Sequence, residues 1–240
     1  MSFLRYLLLL CVKLVSRTFW RRRCDWVGEP LPGDRWGGIR LTAILNHTSL
    51  FEWVFAAMPS NSFLRAVAYH GVVPVAEKTI RRPLVGRFFA LIAAHVMPIS
   101  RQRDHTWRTV LTKFDDDESM LIILPEGRMM RRDGLDSEGR PLSVRGGIAD
   151  ALLAIPDGRM LLCYSGGLHH VQAPGDRFPR LFKTVRMNFE AFDIVDYRQR
   201  LLAEHGEDGF RGAVIADLTA RRDRYCPVTP GSAPGFERAR

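Results

Sequence analysis

The chain has 240 residues, 46% hydrophobic and 25% charged, and its 35 Lys+Arg against 26 Asp+Glu give a formal charge of +9. That is enough chain for one α/β domain with a full core, and the composition excludes a disordered or fibrous protein. The arginine-rich excess suits an anionic partner. With no zinc spacing, aromatic RNA-binding segment or glycine-rich phosphate loop, lipid headgroups and phosphorylated substrates fit better than nucleic acid.

The first segment, Met1 to Val15, is an apolar block interrupted by Arg5 and Lys13 and followed by Arg21-Arg22-Arg23. It falls short of the ~20 apolar residues that a bilayer-spanning helix needs. A signal peptide would carry its cations before the apolar run and a small-residue cleavage site after it. The pattern therefore predicts an interfacial helix, with its aromatic residues at headgroup depth and the arginines on anionic lipid at the cytoplasmic side. Residues 1–27 are assigned to this membrane-associating segment, and Glu29-Pro30-Leu31-Pro32-Gly33 makes a rigid link before the central strand.

Arg40 to Leu45 is short and β-compatible, and Ser49 to Met58 carries apolar residues at helical spacing, with Asn46-His47-Thr48-Ser49-Leu50-Phe51-Glu52 between them. His47 thus falls where a strand ends and a helix begins. A carboxylate five residues on, Glu52, can hydrogen-bond one ring nitrogen and leave the other to accept a proton from a hydroxyl. The same residues would also serve as an ordinary helix cap.

Strands are expected at Phe63 to Tyr69, Val72 to Val75 and Val96 to Ile99, with a helix opened by Pro83 running to about Ala94. Arg101, just past the third strand, is placed to clamp a phosphate, or else belongs to a solvated basic edge. Thr106 to Phe114 reads as a helix ending in the acidic run Asp115 to Glu118, most simply a solvated loop rather than a metal site. Met120 to Leu124 is a strongly apolar strand feeding Pro125-Glu126-Gly127-Arg128, which puts a carboxylate and backbone amides at a turn open to a ligand. Met160 to Ser165 and one or two strands within Phe178 to Asp196 come next, then helices at Tyr197 to Glu204 and Gly212 to Arg224. His169 and His170, if on a strand, point to opposite faces and form no joint ligand pair. The four cysteines are scattered without paired spacing, which suits a reducing compartment. The domain is bounded at 28–226, and 227–240, rich in Pro, Gly and Ser, reads as a disordered tail.

Taken in order, Asn46-His47 with Glu52, then Pro98-Ile99-Ser100-Arg101, then Leu124-Pro125-Glu126-Gly127, resemble the motif series of the lysophospholipid acyltransferases, the glycerolipid family that includes 1-acylglycerol-3-phosphate acyltransferase. The segment Lys78 to Arg101 and the turn Arg145-Gly146-Gly147-Ile148-Ala149 are similar to that family as well. The resemblance implies an α/β fold, a mixed sheet flanked by helices, with an N-terminal membrane-associating helix on the cytoplasmic face of the inner membrane. It implies O-acyl transfer from acyl-CoA or acyl carrier protein to a lysophospholipid, with membrane lipid as partner and no cofactor beyond the acyl donor. His47 would be the general base and Glu52 its orienting acid, Arg101 would bind the acceptor's anionic headgroup, and Glu126, Gly127 and Arg128 would shape the acceptor site.

The chain departs from the family at several points. Glu52 stands where aspartate is usual, Arg128-Met129 where threonine then arginine is usual, and Met160 to Ser165 lacks the proline of the family's last motif. These departures leave open an acyltransferase with a non-phosphatidate acceptor, such as an amino-acid-containing or polyene lipid. A membrane-binding relative without activity, or a hydrolase using His47 to activate water, is also left open.

Overall fold

The computed structural model describes residues 1–29, 31–81, 83–100, 105–115 and 118–230. Its strands are β1 (Arg21–Trp26), β2 (Ile39–Leu45), β3 (Gly71–Ala76), β4 (His95–Ile99), β5 (Met120–Ile123), β6 (Arg159–Ser165) and β7 (Thr184–Asp193). They form one mixed sheet in the order β1-β7-β6-β2-β5-β3-β4. β6 through β4 run parallel, whereas β7 is antiparallel to β6 and β1 is parallel to β7.

β2 sits in the middle and is buried along almost its whole length. Leu41, Ala43 and Leu45 face a core shared with Ile148, Leu152, Phe210 and Val214, while Ile44 on the opposite side packs with Leu161, Cys163, Phe63 and Val54. Burial on both faces is why this strand and β6 read as unbroken apolar runs instead of alternating ones.

The helices are α1 (Ser2–Phe19), α2 (Asn61–His70), α3 (Glu77–Ile80), α4 (Pro83–Ile92), α5 (His105–Leu111), α6 (Gly147–Ala154) and α7 (Ile194–Tyr225). α7 is broken at Gly206, whose φ of 67° and ψ of 177° leave the helical region, so the two helices expected at the C-terminal end are present and joined through this glycine. Phe63 to Tyr69 is helix α2 rather than the expected strand. Ser60 accepts the Phe63 amide as an N-cap, and Phe63, Leu64, Val67 and Ala68 are buried at helical spacing. Ser49 to Met58 contains only a 3-10 turn, Glu52–Ala57. The stretch 178–183 is a loop, and only β7 comes after it.

α1 packs with its polar residues inward. Lys13 is 6% exposed, and its Nζ donates to the Pro59 carbonyl and Asn61 Oδ1, both at 2.7 Å. Ser16 and Leu9 are buried beside it, and Arg17 Nε donates to the Ala57 carbonyl at 3.1 Å. Phe3, Leu4, Leu7, Leu14 and Val15 point to solvent. Among the described residues no helix is long and apolar enough to cross a membrane. Trp20, expected at headgroup depth, is buried and edge-on to Trp53. Residues 21–26 of the N-terminal segment belong to the sheet as edge strand β1. At the other end Thr229 is buried and donates to the Gly166 carbonyl at 2.6 Å, and residues 231–240 lie outside the described ones.

Candidate active site

The carboxyl end of β2 lies between those of β5 and β6, the edge at which parallel α/β sheets present ligands. The chain leaves the strand there at Asn46, whose φ of 66° is left-handed and turns the backbone sharply outward. Asn46 Nδ2 donates to the Ser165 carbonyl at 2.8 Å and so ties the turn to β6. Its amide and that of His47 both donate to Glu126, at 2.9 and 2.8 Å. The His47 carbonyl accepts from Met130 N at 2.7 Å, and Thr48 Oγ1 accepts from Leu168 N at 2.7 Å. Two segments, 126–130 and 165–168, thus fix the backbone around one histidine.

His47 Nδ1 lies 2.8 Å from Glu52 Oε1, and both side chains are largely buried. A carboxylate can only accept, so Nδ1 carries the hydrogen and Nε2 keeps its lone pair. The same Glu52 oxygen accepts from Thr48 N at 3.2 Å. The longer side chain of glutamate therefore reaches the imidazole, folding back from the first residue of the 3-10 turn. Burial pushes the His47 pKa down, but Glu52, by charge and hydrogen bond, and Glu126 behind it outweigh that. The result lies above the ordinary histidine value.

Glu126 is buried. Burial drives its pKa up, opposed by the His47 and Asn46 amides and by Arg222, whose Nη1 is 3.6 Å from Oε1. Gly127, with φ of 65°, makes the turn after it, closed by its amide on the Leu124 carbonyl at 2.9 Å. Arg128 is held by two acids: its Nη1 lies 2.7 Å from both Asp136 Oδ2 and Glu138 Oε2. Burial of Asp136 works to raise its pKa, yet the Arg140 and Glu138 amides and Arg128 bring it down to about 2. Arg128 is therefore the knot of the 128–141 loop. Arg101 lies outside the described residues.

Two cavities flank this junction. A cleft of about 390 Å³ at the ends of β3, β4 and β5 is lined by Glu126, Gly127, Arg128, Arg140 and Arg145 and by Gly147 at the start of α6. Its cations and the helix start favour an anion. On the other face of the sheet an almost wholly apolar cavity of about 160 Å³ runs under α1 and α2. It is lined by Thr42, Ile44, Phe63, Leu161 and Cys163, among others, with Glu52 and Trp53 at one end.

The structure thus brings His47, Glu52, Glu126, Gly127 and Arg128 to one edge of the sheet. Arg140, Arg222 and Asp136 were not singled out from the sequence. The Asp136 and Glu138 carboxylates, eight and ten residues past Arg128, were the available signal that this arginine is paired. His169 and His170 act separately in a turn, Nε2 of the first on the Met130 carbonyl and Nε2 of the second on that of Thr184, each at 2.8 Å.

No protein-family model matches the chain, and no curated protein matches its sequence. Among solved structures, the crystal structure of the 1-acyl-sn-glycerophosphate (LPA) acyltransferase PlsC from Thermotoga maritima superposes with a TM-score of 0.54 and 15% identity, over 92% of this chain and 81% of that one. The chain has the fold of that acyltransferase, a seven-stranded mixed sheet flanked by helices with a helix at its N-terminus.

Proposed function

We propose that the protein is an acyltransferase that moves a fatty acyl group from a thioester, acyl-CoA or acyl carrier protein, to the hydroxyl of a lysophospholipid such as 1-acylglycerol-3-phosphate. The observation that carries the reading is the His47–Glu52 contact, set between an apolar cavity that Glu52 itself lines and a cleft lined by arginines. An acyl chain suits the first and an anionic headgroup the second. PlsC from Thermotoga maritima, which shares the fold, is a 1-acyl-sn-glycerophosphate acyltransferase.

In this reading His47 Nε2 takes the proton of the acceptor hydroxyl as its oxygen attacks the thioester carbonyl, and Glu52 stabilises the imidazolium that forms. The tetrahedral intermediate collapses with cleavage of the C–S bond. The imidazolium returns its proton to the leaving thiolate, giving ester and thiol. Base and acceptor need only be held in line, which is the role of the fixed backbone at residues 46–48.

The outward face of α1, with Phe3, Leu4, Leu7, Leu14 and Val15 exposed and Lys13 turned inward, supports attachment to a membrane surface, at the cytoplasmic face where anionic lipid meets Arg21–Arg23. One observation favours a second reading, a lipid acceptor other than lysophosphatidate: Arg128 is engaged by Asp136 and Glu138 and is not free for a phosphate.

The test offers labelled acyl-CoA and acyl-carrier-protein thioesters with a panel of lysophospholipids and a membrane-lipid extract, to wild type, His47→Ala and Glu52→Gln. Labelled lipid from wild type alone supports the reading and identifies the acceptor. Free fatty acid made without an acceptor points to a hydrolase, and absence of any product with every donor removes the enzyme claim.

A further inference from the structure

Outside the site just described, the two most exposed large apolar side chains after α1, Phe178 and Phe182, lie in one loop, residues 174–183, together with Leu181. Phe178 is 73% exposed, Phe182 63% and Leu181 42%. Exposed apolar side chains gathered in one segment are a candidate interaction surface.

The loop is rigidly attached. Trp20 Nε1 donates to the Arg180 carbonyl at 3.0 Å, Arg180 N to the Val171 carbonyl at 2.7 Å, Phe182 N to the Phe19 carbonyl at 2.7 Å, and Arg21 N to the Lys183 carbonyl at 3.1 Å. Phe182 has φ of 59°, a conformation that bulky residues avoid, and it is one of two non-glycine residues with positive φ among those described. The other is Asn46, at the catalytic turn. The hydrogen bonds around it hold Phe182 in this conformation and keep its ring outside the core.

Cations surround the aromatic residues. Arg177 lies over the Phe178 ring at 5.5 Å, and Arg180, Lys183, Arg21 and Arg22 are exposed nearby. A cleft of about 370 Å³ is lined by Arg17, Thr18, Phe19, Arg21, Arg22 and Phe182. Among the described residues no ion pair is formed by Arg17, Arg21, Arg22, Arg177 or Lys183; Arg180 has one acid, Asp176, at 3.7 Å. Thr18 belongs to the outward face of α1, so the cleft continues that apolar face.

We propose that residues 177–183 are a second membrane-contact element, whose Phe178, Leu181 and Phe182 enter the headgroup region of an anionic bilayer while Arg17, Arg21 and Arg22 take lipid phosphate in the adjoining cleft. Charge complementarity and continuity with α1 identify the occupant as a bilayer. A protein surface would not need an unpaired cationic cleft beside the aromatic residues. The element also bears on catalysis. Gln172, just before the loop, accepts from Ser49 Oγ at 2.6 Å, and Leu168 N donates to Thr48 Oγ1, so the docked loop is wired to the turn that carries His47. Two contact elements fix the orientation of the domain where one helix leaves it free to roll.

The inference rests on the membrane attachment proposed for α1, and one experiment separates the two. Full-length protein is sedimented with vesicles of phosphatidylcholine alone and of phosphatidylcholine with phosphatidylglycerol. Three variants are compared with wild type: Leu4→Ser/Leu7→Ser/Leu14→Ser on α1, Phe178→Ser/Phe182→Asn in the loop, and Arg21→Gln/Arg22→Gln in the cleft. Asparagine tolerates the left-handed backbone, so the loop variant keeps its fold, which circular dichroism and the melting midpoint verify. The loop variant is expected to bind both vesicles at least tenfold more weakly than wild type. The cleft variant is expected to lose about fivefold per arginine on anionic vesicles only, an effect erased by high salt. If the α1 variant loses binding while the loop and cleft variants bind as wild type does, the second element is refuted and membrane attachment stands. If wild type binds neither vesicle, both fall.

Discussion

The Glu126 carboxylate accepts the main-chain amide of His47 at 2.8 Å and, through its other oxygen, that of Asn46 at 2.9 Å. A buried acid spent on two successive amides acts on position: it fixes the turn from which the imidazole projects. Glu126 also lines the arginine cleft, so one side chain couples the two halves of the site.

Glu126→Gln keeps the shape but offers one amide an N–H in place of an acceptor. A buried donor left unpaired costs about 1–3 kcal/mol, and a misplaced base costs up to about 100-fold in rate. The variant should remain folded with a lower unfolding midpoint in denaturant, and kcat should fall much more than KM for the acceptor rises. An increase in KM with kcat intact would instead make Glu126 a direct acceptor ligand.

The pH dependence is set by the signs at His47. As the proposed general base His47 acts in its neutral form, and Glu52 and Glu126 hold its pKa above the ordinary value, so kcat/KM should fall as pH drops through that raised pKa. Glu52→Gln removes the stronger of the two supports. The acid limb should then move to lower pH while the plateau drops, because the imidazolium formed in the reaction loses its partner. His47→Ala should lose about 100- to 10,000-fold on the plateau above that raised pKa, and less below it, where the wild-type imidazole is itself protonated. A pH–rate profile of wild type and Glu52→Gln decides the point; an unmoved acid limb would mean that another group titrates.

Two arginines that line the cleft should separate by what they break. Arg145 lines the cleft, its amide held by the Pro125 carbonyl at 2.8 Å, and its side chain has no acidic partner among the described residues. Arg145→Ala should raise KM for an anionic acceptor about tenfold or more, the loss of a charge-assisted hydrogen bond, and leave stability nearly unchanged. Arg128→Ala strands buried Asp136 without its cation and should lower the melting midpoint first. Kinetics and melting curves on the same two variants test both statements.

Much of the sheet was legible because its central strands are buried on both faces and so stand out as short apolar runs between polar turns, β2, β5 and β6 above all. Phe63 to Tyr69 misled because seven residues rich in apolar and aromatic side chains have no decisive period; the N-cap at Ser60 was the better guide. Among the site residues, the spacing of His47 and Glu52 allowed their contact but equally a helix cap, and the motif series rather than the spacing favoured the contact. The grip of Glu126 on the His47 backbone was not legible, since amide donors leave no mark in the sequence. Nor was the inverted packing of α1, where buried Lys13 finds its partners 46 and 48 residues away.

The apolar cavity makes the final prediction. Thr42 lines it four residues before Asn46 on β2, about 13 Å from the turn at the carboxyl end of the strand at the usual rise per residue. Its partners in register are Leu161 and Ile122, both of which line the cavity, so the three form one wall of it. Thr42 Oγ1 is buried with no hydrogen-bond partner among the described residues. Replacing it with leucine gives up no hydrogen bond and fills space. Thr42→Leu should therefore be neutral or mildly stabilising in thermal melts. If an acyl chain lies in this cavity, the added bulk shortens the accepted chain, so a series of thioester donors of increasing length should shift its optimum toward the shorter members, with kcat on those members retained. An unchanged chain-length profile, in a variant that melts as wild type does, would place the acyl chain elsewhere and remove the apolar cavity from the mechanism.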